Sequence, residues 1–181
     1  MQAARNIVTP HPQIAALFKN AVKLPWQTQT AETRSDDKKR DLIAFFGPTL
    51  ARKGAYAVRE AIRRTGLPLT ILGSEIEEAD FWKGLPVVRT TQQQLQWDRI
   101  HTVLQPSLFE YWPRQLLRAR AAGCRVVVSP FCGFEEDAAS GMYHVPFGDV
   151  DVLVAAIQKL QPHPHAGAGA KEKERSVQCA S

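Results

Sequence analysis

The chain has 181 residues, 44% of them hydrophobic and 23% charged, with a formal net charge of +5. That suffices for one well-packed globular domain and is too little for two of ordinary size. No apolar run approaches the ~18–20 residues that cross a bilayer, and no basic stretch with an apolar core and cleavage site opens the chain, so a cytoplasmic protein without a transmembrane segment is expected.

In chain order, Asn6 to Pro10 reads as a short strand, Pro12 to Lys19 as a helix and Val22 to Trp26 as a further extended piece. Residues 27–40 are polar and charged without apolar period and read as a linker. Leu42 to Phe46 is a continuous apolar run of strand length, and Gly54 to Arg64 is helical with Val58, Ala61 and Ile62 on one side. Leu69 to Gly73 is the next strand, Ile76 to Trp82 a helix, Pro86 to Val88 a strand and Gln92 to Trp97 a short helix. Strands over Ile100 to Gln105, Arg125 to Ser129 and Met142 to Pro146 follow, separated by a Pro113–Ala122 helix and a loop over Pro130 to Gly141. Asp149 is placed to cap a last helix over Val150 to Leu160. Residues 161–181 are Pro, His, Gly, Ala and charge, and are expected to be disordered. The alternation of short strands and helices over 41–160 predicts an α/β fold, a Rossmann-like parallel sheet with helices on both faces.

The segment from Gln105 to Gly123 carries the strongest local signal. A strand delivers a polar, Pro-broken loop with one carboxylate, Glu110, and Pro113 opens a helix whose free backbone N–H groups, beside Arg114 and Gln115, suit an anion. A carboxylate beside an anion site at the carboxyl end of a parallel strand suits sugar phosphates and nucleotides. The basic residues elsewhere form no stripe interleaved with aromatics, which argues against nucleic acid. Cys124, Cys132 and Cys179 have no metal-type spacing and read as buried free thiols; no metal and no cofactor is predicted.

Four segments in order resemble the C-terminal, nucleotide-sugar-binding half of retaining GT-B glycosyltransferases of the glycogen-synthase-like group 1 family. Gly47 to Gly54 (Gly-Pro-Thr-Leu-Ala-Arg-Lys-Gly) resembles the family's Gly-Arg-x(4)-Lys-Gly loop, and Leu69 to Gly73 its Leu-x-Ile-x-Gly strand. Pro106-Ser107-x-x-Glu110 through Ala121-x-Gly123-x-x-Val126-Val127 resembles its Pro-Ser-x-x-Glu segment and the helix and strand behind it. Cys132-Gly133-Phe134-Glu135-Glu136, then Gly148-Asp149, resembles Gly-Gly-x-x-Glu and the Gly-Asp that opens the closing helix.

The resemblance implies one half of a GT-B fold over 41–160, with 1–26 resembling the end of a preceding acceptor domain and hinge. It implies that Lys53 holds the diphosphate of a nucleoside-diphosphate sugar and that Glu110 contacts sugar hydroxyls, both as catalytic residues. Gly47, Arg52, Ser107, Pro113, Arg114, Gln115 and Gly133 are the implied substrate-binding residues. Pro48 stands where the family has Arg, with Arg52 or Arg114 as replacements in space. Arg118 stands where a second Glu resembles a ribose acceptor; a guanidinium cannot accept hydrogen bonds, so phosphate, carboxylate or solvent are its alternatives. Trp112 is a donor-stacking ring or a surface hydrophobe. Glu136 orients its loop or faces solvent, and His101 reads as a core or edge histidine.

Fewer than thirty residues precede the linker, so transfer is expected to need a longer enzyme or an acceptor-domain partner chain. The alternative is a non-catalytic binding or interaction module on a degenerate glycosyltransferase scaffold. A sugar-nucleotide epimerase of related fold is a third reading.

Overall fold

The computed structural model describes residues 6–24 and 40–161. The linker expected over 27–40 and the tail over 161–181 lie, except for Arg40 and Gln161, outside the described residues.

The first described segment is a small β-α-β unit: β1 (Ile7–Thr9), α1 (Pro12–Leu17) and β2 (Ala21–Lys23), the two strands paired in parallel. It leans on the larger body through His11, whose ring stacks on Phe109 with centroids 5.3 Å apart, and through a Lys23–Glu135 ion pair.

The larger body begins at Arg40. This residue was expected in the linker, yet it is buried, and its guanidinium donates to the carbonyls of Ile100 (2.9 Å) and Ala122 (2.7 Å). A charge reads as solvent-facing until the chain supplies carbonyls to meet it, and here the start of a strand and the end of a helix do so. Then come β3 (Leu42–Phe46), α2 (Ala55–Thr65), β4 (Leu69–Leu72), β5 (Val87–Arg89), β6 (Ile100–Gln105), α3 (Arg114–Ala121), β7 (Arg125–Val128), β8 (Met142–His144) and α4 (Val150–Leu160). The six strands β3 to β8 form one sheet in the order β5-β4-β3-β6-β7-β8, every neighbouring pair parallel. Counted from β3, this is the 3-2-1-4-5-6 order of doubly wound sheets.

Two apolar layers follow from the period of two along the strands. Ile43 and Phe45 of β3 and Val127 of β7 meet Val58, Ala61 and Ile62 of α2 and Leu153 and Ile157 of α4 on one face. Ala44, Phe46, Val126 and Val128 meet Leu116 and Ala119 of α3 on the other. Alternation fails once, where Leu42 pairs with Ile100 but Ile43 pairs with Thr102, a bulge at His101 that puts Ile100 and Val103 on the same face. His101 is buried there, its Nδ1 2.8 Å from the Thr102 hydroxyl.

Two expected helices are absent. Ile76 to Trp82 runs as bends and turns, with Asp80 at φ 55°, and Gln92 to Trp97 is a turn leading into a short 3-10 segment at Trp97–Arg99. The apolar residues that suggested a helix at 76–82 serve as a plug instead. Phe81 and Trp82 are buried edge-to-face against each other, and Phe81 lies likewise on Tyr56 of α2. The final helix starts as expected, the Asp149 carboxylate accepting from the Val152 N–H at 3.0 Å.

Candidate functional site

In a 3-2-1-4-5-6 sheet the chain turns in opposite directions from the two central strands, leaving a crevice beyond their carboxyl ends. Here those strands are β3 and β6. Beyond them lies an open cavity of about 440 Å³. Its wall takes Phe46, Gly47 and Pro48 from the end of β3, Lys53 from the following 3-10 turn, and Gln105 and Glu110 from the end of β6. Leu72 at the end of β4, with Trp112 to Leu116 and Arg118 at the start of α3, completes it.

Glycine sets the close approach of the loops. Gly54, at φ 77°, has no room for a side chain: a Cβ would come within 2.8 Å of the Pro106 carbonyl carbon. The lysine loop is thereby laid directly on the carboxylate loop. Gly73, at φ 149°, packs in the same way on the Gly47 carbonyl, which accounts for the glycine closing the Leu69 to Gly73 motif.

The floor is a polar network. The Lys53 ammonium donates to both oxygens of Glu110, at 2.6 Å and 2.7 Å. The Ser107 hydroxyl donates to Glu110 Oε1 at 2.7 Å, and Gln105 Nε2 donates to the same oxygen at 3.3 Å and to Ser107 Oγ at 2.9 Å. Ser107 also faces the Lys53 carbonyl, and its own carbonyl accepts from the Ser129 hydroxyl. Glu110 Oε1 therefore has three donors and Oε2 one, so Oε2 keeps a lone pair toward the cavity. An ammonium has three N–H bonds, and two on Glu110 leave one. The pair is largely withdrawn from water, with side-chain exposures of 18% for Lys53 and 10% for Glu110. Gln105 Oε1, on a side chain 3% exposed, is without a hydrogen-bond partner.

Cations dominate the rest of the wall. Arg114 and Arg118, one helical turn apart on α3, line the cavity, and neither guanidinium has a hydrogen bond or ion pair among the described residues. At the start of α3 the Arg114 N–H donates to the Trp112 carbonyl at 2.8 Å and that of Leu117 to Pro113, while the N–H groups of Gln115 and Leu116 have no partner among the described residues, and both residues line the cavity. Pro113 is the N-cap rather than the first helical residue.

Of the residues singled out in the sequence, Gly47, Lys53, Glu110, Pro113, Arg114 and Gln115 come together on the wall, as do Pro48, Trp112 and Arg118. Ser107 is fully buried beneath it and reaches the cavity through Glu110. Arg52 does not line it; its carbonyl accepts from the Leu108 N–H, and its side chain is exposed. Gly133 is likewise off the wall, at φ 80° behind buried Cys132. Glu136 accepts from the His144 N–H at 3.3 Å, so it braces its loop against β8. Sequence reasoning missed Gln105. The available signal was a polar residue ending a strand otherwise buried throughout.

Cys124 and Cys132 are buried and free. Burial pushes the Cys124 thiol up to about 11 against the opposing pull of the Arg40 guanidinium, and burial raises Cys132 as well. No cluster of His, Cys, Asp or Glu able to hold a metal occurs among the described residues, and among them no helix is long and apolar enough to cross a membrane.

A parallel sheet in this order, with a crevice beyond its two central strands, defines a Rossmann-like domain. Solved structures place it more narrowly, with the fold of GT-B group 1 glycosyltransferases. WaaB, a lipopolysaccharide outer core galactosyltransferase in its apo form, superposes with a TM-score of 0.63 at 17% identity, over 87% of this chain and 53% of that one. The C-terminal domain of LpcC, a glycosyl transferase group 1 family protein from Francisella tularensis, gives 0.55 at 19% identity, over 72% and 83%. The pneumococcal O-GlcNAc transferase GtfA, solved with UDP and GlcNAc, gives 0.54 at 17% identity, over 85% and 36%. The chain thus spans about half of WaaB and about a third of GtfA. At these identities the likeness is one of fold. No family model and no curated protein matches the sequence.

Proposed function

We propose that this chain is the donor-binding half of a GT-B glycosyltransferase, holding a nucleoside-diphosphate sugar in the cavity beyond β3 and β6. One observation carries the reading: the wall of one cavity at the switch point of the sheet is built from Lys53, a pair of arginines, and Gln115 and Leu116, whose N–H groups at a helix start have no partner among the described residues. As the bond between sugar and diphosphate breaks, negative charge gathers on the departing diphosphate, and fixed cations and amide dipoles stabilise it without reorganising. Lys53 supplies its remaining N–H to a phosphate oxygen while Glu110 holds the ammonium in place. Glu110 Oε2 accepts a sugar hydroxyl, and Trp112 covers the donor from the rim.

The fold shared with a UDP-bound transferase supports a nucleotide ligand. Acceptor recognition falls to a further domain, in the same polypeptide or in a partner chain. Titration calorimetry of the folded protein with UDP, ADP, GDP, CDP and dTDP sugars is the test. Micromolar to millimolar binding of at least one is expected, weakened at least tenfold by Lys53→Met. Absence of heat with every donor would sink the reading. Pro48 on the wall favours a second reading, a binding module that keeps the donor but transfers nothing. Donor binding without transfer or hydrolysis in the complete assembly would select it.

A further inference from the structure

The cavity wall carries positive charge that its own residues do not balance. Among the described residues its one wall carboxylate, Glu110, is neutralised by Lys53 at 2.6 Å, which leaves the guanidiniums of Arg114 and Arg118 uncompensated by the protein. Residues four apart on a helix project from the same face, so the two arginines form a cationic strip running from the start of α3 along the wall. Arginines of a solvated helix face ordinarily find carboxylates three or four residues away. On α2, Arg63 and Arg64 both bond Glu60 in this manner. The α3 sequence Arg-Gln-Leu-Leu-Arg-Ala-Arg-Ala contains no acid.

A second, independent feature points to a ligand in the same space. Gln105 Oε1 is buried, borders the cavity and has no donor. Gln115 gives its Nε2 to Gln92 at 2.6 Å and leaves its own Oε1 without a donor. Buried carbonyl oxygens without partners are costly, and a ligand N–H or O–H in the cavity would meet them. The cavity therefore combines hydroxyl acceptors on its floor and wall with two spare guanidiniums, which prefer carboxylate or phosphate in forked geometry.

We propose that Arg114 and Arg118 form a second anion subsite, so that the preferred ligand is a nucleoside diphosphate carrying a further carboxylate or phosphate besides its diphosphate. This rests on the donor-binding reading and narrows its substrate class. The extra group has two chemical sources, a carboxylate on the transferred sugar or a phosphate on the ribose. Arg118 contributes to binding by pairing with that group, and to neutral donors only through the general field of the site.

The test is calorimetry on the full chain at fixed ionic strength, with ligands compared in pairs that share a base. UDP-glucose is set against UDP-glucuronate, and ADP against its 3′-phosphorylated form; if another base binds best, the pairs are made on that base. In at least one pair the member with the added anion is expected to bind about tenfold more tightly, the size of one charge-assisted hydrogen-bond pair. Arg118→Gln brings the ratio within that pair to about one. Preference confined to the glucuronate pair assigns the carboxylate source, and preference confined to the ribose pair assigns the phosphate source. Equal or tighter binding of the plain member in both pairs overturns the subsite while leaving donor binding intact. Failure of every nucleoside diphosphate to bind overturns both. The ligand pairs in the parent protein decide the matter without reliance on any variant's folding, and a melting curve of Arg118→Gln checks that loss of the ratio is not loss of structure.

Discussion

Replacing Glu110 by alanine tests whether the Lys53–Glu110 pair is as dry as its geometry indicates. The substitution strands an ammonium whose side chain is 18% exposed and takes the acceptor from Ser107 and Gln105. Breaking a buried pair by removing one partner costs about 3–5 kcal/mol. The remaining exposure of Lys53, and the Lys53 carbonyl still within reach of the Ser107 hydroxyl, place this case at the lower end, about 3 kcal/mol. At roughly 4 °C per kcal/mol for a domain of this size, the melting temperature falls by about 12 °C. Lys53→Met is expected to cost a similar amount, because it leaves the carboxylate stranded. Lys53→Met combined with Glu110→Leu should return to within about 1 kcal/mol of the parent, since two apolar groups of matching volume replace a pair whose desolvation offsets its attraction. Urea unfolding followed by circular dichroism on the parent, Lys53→Met, Glu110→Leu and the double variant gives the coupling energy, expected to exceed about 2 kcal/mol. Single losses below about 1 kcal/mol that simply add in the double variant would refute the reasoning, because they are the mark of a solvated ion pair.

Three further expectations concern the scaffold. Gly54→Ala places a side chain at φ 77° against the Pro106 backbone and should cost about 3 kcal/mol, whereas Gly66→Ala, at φ 66° with nothing within 4 Å, should cost only about 1 kcal/mol; chemical denaturation of the two separates collision from backbone strain. Hydrogen bonds from Arg63 and then Arg64 hold the Glu60 carboxyl at about 2, below its ordinary 4.5, so its contribution to stability is complete above pH 4.5 and disappears as pH falls toward 2. Melting temperatures of Glu60→Gln should therefore fall less steeply than the parent's across that window, and equal slopes would exclude the effect. Cys124 and Cys132, both raised by burial, should resist iodoacetamide at pH 8 in the folded protein and react in guanidinium, as peptide mass spectrometry would show.

Much of the scaffold is legible because strands buried on both faces write themselves as unbroken apolar runs. Leu42 to Phe46 and Val126 to Val128 are of this kind, and β6 has the length expected for it. The Asp149 cap is legible because one side chain and one backbone N–H three residues on define it. What escaped depends on partners distant in the chain. Phe81 and Trp82 imitate a helical face because they share a pocket under α2, and nothing local distinguishes the two uses. Arg40 resembles linker until carbonyls 60 and 82 residues away are in place. At the site, Lys53, Glu110 and Arg114 converge from loops whose types the sequence discloses. Their mutual contacts are another matter: Glu110 was expected to contact sugar hydroxyls, and the sequence discloses nothing of the bonds that commit one of its oxygens to Ser107, Gln105 and Lys53. Burial of Ser107 follows from the packing of Pro106 on Gly54, which no spacing rule reveals.

Ser107 has a consequence for how such a site changes over time. One small residue joins the ends of β3, β6 and β7: its hydroxyl meets Lys53 and Glu110, and its carbonyl meets Ser129. Three loops hung from a single hub cannot drift separately, so mutation at the floor is punished three times over. The rim has no such tie. Arg114 and Arg118 project from an already formed helix, their guanidiniums without a hydrogen bond or ion pair to the described residues, so exchanging them leaves the floor network in place. If the cavity holds the donor proposed for it, the site divides into a fixed chassis and an adjustable gate, and a changed ligand preference is within reach of single substitutions along one face of α3.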